Sequence, residues 1–185
     1  MSAYDLPTSL TVGGVGFPIR YQWRAVLDAL IACADPDLDD NGKAECIFRI
    51  IYPDYKKIPP EQRAEALRKA CDFIDCGQAD PGKAKPKMMD WAQDAPVIIA
   101  EVNKVAGREV RADPNIHWWT FFSWFMGIGD GVFASILHIR GKRAKHKKLD
   151  EWEQQFYNEN RHMIDFDKQE TEEVRAEKDK ILKYL

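Results

Sequence analysis

Asp90 and Asp94 stand four residues apart, and His117 follows downstream. On a helix, carboxylates at i and i+4 share one face. Two such carboxylates with an imidazole are a donor set for a divalent metal or for acid–base work. A plainer reading makes both acids the start of a helix entered through Pro96, where they face the positive end of the helix dipole. His117 is then an early-helix residue satisfied by the preceding turn or by solvent. Asp37-x-Asp39-x-Asn41-Gly42 imitates the first half of a calcium loop, with oxygen ligands and the sharp-turn glycine in place. The closing position of such a loop requires a bidentate Glu, and Phe48 stands there. The stretch therefore reads as an acidic inter-helix loop capping a helix at Lys43. Gly13-Gly14-Val15-Gly16 lacks the Lys-Ser/Thr pair of a phosphate cradle and reads as a hairpin turn. No local signature of a Ser–His–Asp or Cys–His arrangement is present. No catalytic residue, metal or cofactor is expected.

Residues 140–148 carry six Lys/Arg and His146. The run has no interleaved aromatic residue, and an acidic stretch follows it. It reads as a solvated, partly self-neutralising linker, with an acidic partner surface the open alternative. The formal net charge of −3 does not point to nucleic acid. The four cysteines, Cys33, Cys46, Cys71 and Cys76, lie in helical patterns without zinc spacing and are expected as free thiols. Met1-Ser2-Ala3-Tyr4-Asp5-Leu6-Pro7 has neither a basic nor an apolar leader region, so no signal peptide is expected. No apolar segment is long enough to span a bilayer.

The elements that must position these residues are mostly helices. Leu10, Val12, Val15, Phe17 and Ile19 flank Gly13-Gly14 as two short strands, with Pro18 marking an edge. Trp23, Val26, Leu27, Leu30 and Ile31 predict a helix from about 21 to 34, stopped at Asp35-Pro36. A short helix spans Lys43 to Tyr52. Pro59-Pro60-Glu61 opens a third helix, with Ala64, Leu67, Ala70, Cys71 and Ile74 inward and Gly77 at its end. Residues 77–87 form a polar loop. Asp94 and Pro96 open a helix that runs to Gly107. Asp113-Pro114, an N-cap followed by proline, launches the next one.

That next helix is the most apolar of all. Residues 117–125 read His-Trp-Trp-Thr-Phe-Phe-Ser-Trp-Phe, with three of the chain's six tryptophans. Only His117, Thr120 and Ser123 are polar, and they form one stripe. Such a helix is wrapped by protein on most sides, or it forms the core and also offers an aromatic patch. Trp118, Trp119, Phe121, Phe122, Trp124 and Phe125 are thus the candidate site, as core or partner-binding residues not distinguished at this level. Trp118, Trp119, Phe121 and Phe122 are expected to be mainly core, with Trp119→Ala or Phe122→Ala costing about 3–5 kcal/mol. Gly127 to Gly131 ends the helix, and Val132, Phe133, Ile136, Leu137 and Arg140 begin another. Beyond it, Leu149, Trp152, Phe156 and Met163 make one stripe, and Val174, Ile181 and Leu185 a thinner one.

The order of these motifs resembles the Gp-fifteen family of small bacteriophage tail-cluster proteins from siphophages and prophages. Leu6-Pro7, Val12-Gly13-Gly14, Phe17-Pro18-Ile19 and Trp23-Arg24-Ala25-Val26-Leu27 are similar to its hairpin and first helix. Tyr52-Pro53, Ile58-Pro59, Ala66 and Phe73-Ile74-Asp75-Cys76-Gly77 follow, then Asp90-Trp91-x-Gln93-Asp94-Ala95 and Ile98. His117-Trp118-Trp119-x-Phe121 is the most specific mark, followed by Gly127-Ile128 and Ile139-Arg140. The resemblance covers roughly residues 4–165; Pro96 departs from it, as does the charged extension after Asp165. It implies a gene between those for the major tail protein and the tape-measure protein, the position of tail assembly chaperones. Such chaperones coat the tape-measure protein, keep it soluble and recruit tail-tube subunits. No catalytic residues come with the family.

The expectation is a mainly α, helical single domain with an N-terminal β-hairpin and a charged C-terminal helical extension. Residues 1–140 form the core domain, and 141–185 the basic linker and extension. The resemblance implies a non-catalytic tail assembly chaperone in the host cytoplasm. It binds the tape-measure protein, promotes tail-tube assembly and contacts tail-tube subunits; self-association is open, and neither nucleic acid nor membrane is a partner. Two alternatives stand beside it: a structural component retained in the phage tail, and a metal-dependent enzyme using Asp90, Asp94 and His117.

Overall fold

A computed structural model describes residues 4–78 and 86–167. Strands β1 (Ser9–Val12) and β2 (Val15–Pro18) pair antiparallel, with Val12 opposite Val15. The turn between them places Gly13 at φ 54° and Gly14 at φ 81°. Two successive positive φ values match the twist of a tight hairpin and are cheap only for glycine. Leu10, Val12 and Phe17 point into the core. The Gly13 amide donates to Glu65, which seats the turn on the third helix.

Helices α1 (Trp23–Ala34) and α2 (Asp40–Ile51) follow. The acidic loop between them is spent on capping. Asp39 Oδ1 accepts from the Gly42 amide at 2.7 Å, and Asp35 Oδ1 from the Asp37 amide at 2.9 Å. The helix therefore begins at Asp40, one turn before Lys43, because Asp39 is the residue with a side chain free to cap it.

Helix α3 (Arg63–Ile74) buries Ala66, Ala70, Phe73 and Ile74. The expected stripe through Ala64 and Leu67 is rotated away, and Ala64 is exposed. Phe73 carries more apolar area than any residue of the competing stripe, so its face wins. Tyr52 reinforces this register by donating its hydroxyl to the Ala66 carbonyl at 2.8 Å. Gly77, at φ 72°, ends the helix with its amide bonded to the Asp72 carbonyl. The four cysteines are free and half-buried. Burial pushes the Cys76 thiol up to about 12, which keeps it protonated and unreactive.

Helix α4 (Ala95–Ala106) carries Pro96 in its first turn and closes at Gly107, φ 65°. Helix α5 (Trp118–Met126) begins four residues after Pro114, not at it. Tertiary pairing is the reason. The Trp23 amide donates to the Ile116 carbonyl, and the Trp118 amide to the Tyr21 carbonyl, so Gln22 and His117 form an antiparallel bridge. Residues 116 and 117 are held extended, and Asp113 caps only a local turn, accepting from the Asn115 amide.

Helix α6 (Val132–Ala144) runs straight through position 140. It is followed by α7 (Glu151–Glu159), opened by a reciprocal Asp150–Glu153 capping box, and by the single turn α8 (Arg161–Ile164). The main core joins the hairpin with α1 to α5 and Phe133. A smaller cluster of Ile136, Ile139 and Ile164 gathers Leu149, Phe156, Tyr157 and Met163. Trp152 leaves that expected stripe and stands 57% exposed. The protein is thus mainly α with an N-terminal antiparallel hairpin. Val174, Ile181 and Leu185 lie outside the described residues. Among the described residues no helix is long and apolar enough to cross a membrane.

Candidate functional site

The six aromatic residues of α5 divide into two sets. Trp118 and Phe121 are fully buried; Trp119, Phe122, Trp124 and Phe125 are half-buried. The buried pair closes the core: Phe121 stacks on Trp23 with centroids 4.7 Å apart. Both indoles of the Trp-Trp pair reach the end of α3. Trp118 Nε1–H donates to the Ile74 carbonyl at 2.8 Å, and Trp119 Nε1–H to the Phe73 carbonyl at 2.9 Å. These carbonyls lie in the last helical turn, where no i+4 amide continues the ladder; locally the Phe73 carbonyl accepts from the Cys76 amide at 3.1 Å and the Ile74 carbonyl from the Cys76 thiol at 3.8 Å. The two tryptophans therefore act as a C-cap for α3 supplied by another helix.

The half-buried set faces outward in two directions. Phe122 packs on Phe125 (5.9 Å), and Phe125 on Trp91 (5.0 Å), a ring that sequence periodicity did not single out. Trp124 lies on the other side beneath the Arg108 guanidinium, 5.5 Å from the ring centroid. Such edges combine large apolar area with low side-chain entropy, the character of a protein-binding surface.

His117 is neither solvated nor an ordinary helical residue. It is the N-cap of α5 and is buried. Its Nδ1 accepts from the Trp119 amide at 3.0 Å, and its Nε2 lies 2.9 Å from the Pro7 carbonyl. An accepting Nδ1 is unprotonated, so the proton sits on Nε2 and donates to Pro7. The ring stacks on Tyr21 at 5.2 Å, with Phe73 at its edge. Burial holds its pKa below the ordinary 6.5. Protonation at Nδ1 would replace the cap by a clash of two donors. The folded form resists a proton that the unfolded form accepts, so this contribution is complete above pH 6.5 and is lost as pH falls through the depressed value. Urea unfolding is expected to show stability declining as pH drops below 6.5. In His117→Asn, which keeps an N-cap acceptor, that part of the decline should vanish. An identical pH slope in both proteins would show that His117 does not carry it.

Asp94 and Arg140 form the one fully buried ion pair among the described residues, with side chains 2% and 4% exposed. The pair is bidentate: Arg140 Nη1 to Oδ2 at 2.6 Å and Nη2 to Oδ1 at 2.8 Å. Arg140 also donates to the carbonyls of Ile164, Met88 and Met163. All five guanidinium protons are used. Asp94 in turn accepts from the Asp90 amide, and Asp90 caps the turn at Ala92 and Gln93 while pairing with Lys87. Asp94 turns to Arg140, Asp90 to Lys87 and its own turn, and His117 to Pro7 and Trp119, so the alternative metal trio of Asp90, Asp94 and His117 does not assemble. Among the described residues no group of three or more His, Cys, Asp or Glu side chains is placed to hold a metal ion. A cleft of about 440 Å³ beside Lys87, Arg140, Arg143 and Phe166 is lined by these already paired cations.

The basic run is divided rather than uniformly solvated. Arg140 is buried, Lys142 pairs with the buried Glu153, and Arg143 pairs with Asp165. Lys142 and the Asp150 amide together hold the Glu153 carboxyl down to about 2. Forty-six positions separate Arg140 from Asp94, so no local spacing could have announced this pair.

No curated protein and no solved structure matches the chain. A family model described as "Bacteriophage Gp15 protein" matches residues 3–166. That span takes in the hairpin, the His117 clamp, both clusters and the Asp94–Arg140 pair, which is nearly the whole described fold, and so the chain belongs to the bacteriophage Gp15 protein family.

Proposed function

We propose that this protein is a tail assembly chaperone that binds the phage tape-measure protein in the host cytoplasm, without catalysis of its own. Family membership across residues 3–166 carries the reading, through the gene position that the resemblance implies. The chemistry of α5 is consistent with it. A tape-measure protein is a long helix with apolar stripes that aggregate when exposed. The half-buried edge of Phe122, Phe125 and Trp91 offers rings against which such a stripe can pack. Tail-tube subunits are the second partner in this scheme.

Co-expression with the adjacent tape-measure gene tests it. The soluble fraction of the tape-measure protein should rise with the dose of this chain. A client equally insoluble with and without it would overturn the proposal. Recovery of this chain as a stoichiometric component of mature virions would favour the structural alternative instead.

A further inference from the structure

Residues 150–167, which hold α7, α8 and the segment up to Asp167, form an arm joined to the rest of the protein by one short turn. The arm lays Phe156, Met163 and Ile164 against Ile136 and Ile139 of α6. Among the described residues none of its side chains enters the main core. Polar contacts complete its seat. Arg140 donates to the Met163 and Ile164 carbonyls, Lys142 pairs with Glu153, and the Gln93 side chain holds the backbone on both sides of Phe166. The turn itself, Lys145-His146-Lys147-Lys148-Leu149, contains neither glycine nor proline. It closes when the Lys147 amide bonds the Lys142 carbonyl at 2.8 Å, and that closure puts His146 at φ 52°. Helix α4 ends in the same left-handed region on a glycine, Gly107. A residue with a Cβ is strained there. Lys145 to Lys148 are all exposed, so no packing offsets the strain. Lysine and leucine are good helix formers, so nothing in these residues opposes an open joint in which His146 relaxes.

We propose that this protein dimerises by exchanging residues 150–167 between two copies, with the turn at 145–149 as the hinge. A short hinge under strain favours exchange of the unit it holds. The occupant of each seat is fixed by what already sits there: the same arm, supplied by a second copy. Every contact of the arm is kept in the exchanged pair. Lys142 of one copy meets Glu153 of the other, and each Arg140 takes Asp94 from its own copy and the two α8 carbonyls from the other. Arm contacts therefore cancel between monomer and dimer. Relief of two strained His146 turns is left to act against the entropy cost of association. The exchange goes beyond the chaperone reading: it involves no residue of α5 and holds whichever client the protein binds.

The test uses the full chain. Equal amounts of unlabelled and heavy-isotope-labelled protein are unfolded together and refolded at high concentration, and the dimer is isolated by size exclusion. A zero-length carbodiimide cross-linker then joins the Lys142 ammonium to the Glu153 carboxyl, which are paired across the hinge. In an exchanged dimer about half of these cross-links should join one light and one heavy peptide. In a side-by-side dimer both peptides always carry the same label. His146→Gly removes the strain from the closed turn, so it should lower the dimer association constant about tenfold without lowering the melting temperature. Deleting Lys147 and Lys148 leaves the turn too short to close and should shift the chain to the dimer. Cross-links of one label only would overturn the proposal. So would a chain that stays monomeric after concentrated refolding, a His146→Gly dimer as stable as the unaltered one, or a shortened chain that folds as a monomer. The isotope test needs no substitution and decides the matter even if the shortened chain does not fold.

Discussion

Arg140→Met is expected to lower folding stability by about 3–5 kcal/mol, the usual cost of removing one partner of a buried, hydrogen-bonded ion pair. Met matches the volume and most of the aliphatic stem, so packing alone does not produce the loss. The substitution leaves Asp94 buried with only the Asp90 amide as partner. It also strips hydrogen bonds from the carbonyls of Met88, Met163 and Ile164. Asp94 stands at the start of α4, Met88 before Asp90, and Met163 and Ile164 in α8, so the guanidinium on α6 joins these segments. Removing the charge from both sides, in Arg140→Met/Asp94→Leu, should recover most of the loss, because the uncompensated carboxylate goes as well. Recovery should be incomplete, since the three carbonyls stay unpaired. Urea unfolding of the two single variants and the double variant gives the coupling energy. A loss below about 1 kcal/mol in Arg140→Met would put the pair at the level of a surface bridge and remove it from the centre of this architecture.

Trp118→Ala is the second large effect, also about 3–5 kcal/mol. Trp118 is 1% exposed and touches Phe121, Phe122 and Trp91. Alanine would leave a cavity at the meeting point of α3 and α5 and would leave the Ile74 carbonyl with only the weak Cys76 thiol as donor. Trp118→Phe keeps the larger part of the ring but loses the N–H donor and the atoms around it, so an intermediate cost of about 2 kcal/mol is expected. Phe122→Ala, for which sequence alone suggested a core-sized penalty, should cost less, about 2 kcal/mol, because its ring is only partly buried. Thermal melts of the three variants should rank Trp118→Ala lowest. If Phe122→Ala melted at or below Trp118→Ala, the division of α5 into a buried and an outward set would be wrong.

Much of the local structure was legible before any coordinates. Gly13-Gly14 between alternating apolar residues specified a hairpin, since glycine accepts both positive φ values without strain. The helices followed from apolar spacing, and Gly77 and Gly107 ended theirs where left-handed backbone was required. The Asp and Asn residues after Asp35-Pro36 marked a helix start, which Asp39 caps so that the helix begins at Asp40, three residues earlier than Lys43. Aromatic density alone marked α5 as central.

What the sequence could not convey is which of two local options the rest of the molecule selects. Asp113-Pro114 is a good helix start by every local rule, yet α5 begins at Trp118 because α1 holds residues 116 and 117 in an extended bridge. The inward face of α3 was ambiguous until Phe73 and the Tyr52 hydroxyl settled its rotation. Asp90 and Asp94 looked like a pair because they are close in the chain, but each took a partner of its own, one of them 46 residues away. Periodicity and caps are properties of a few neighbouring residues, so the sequence by itself determined the elements and the family. Ion pairs, the N-cap role of His117 and the split of one basic run into a paired and an exposed half depend on distances between remote segments. Only the tertiary structure decided those, because a buried charge must find whatever partner the packing brings to it.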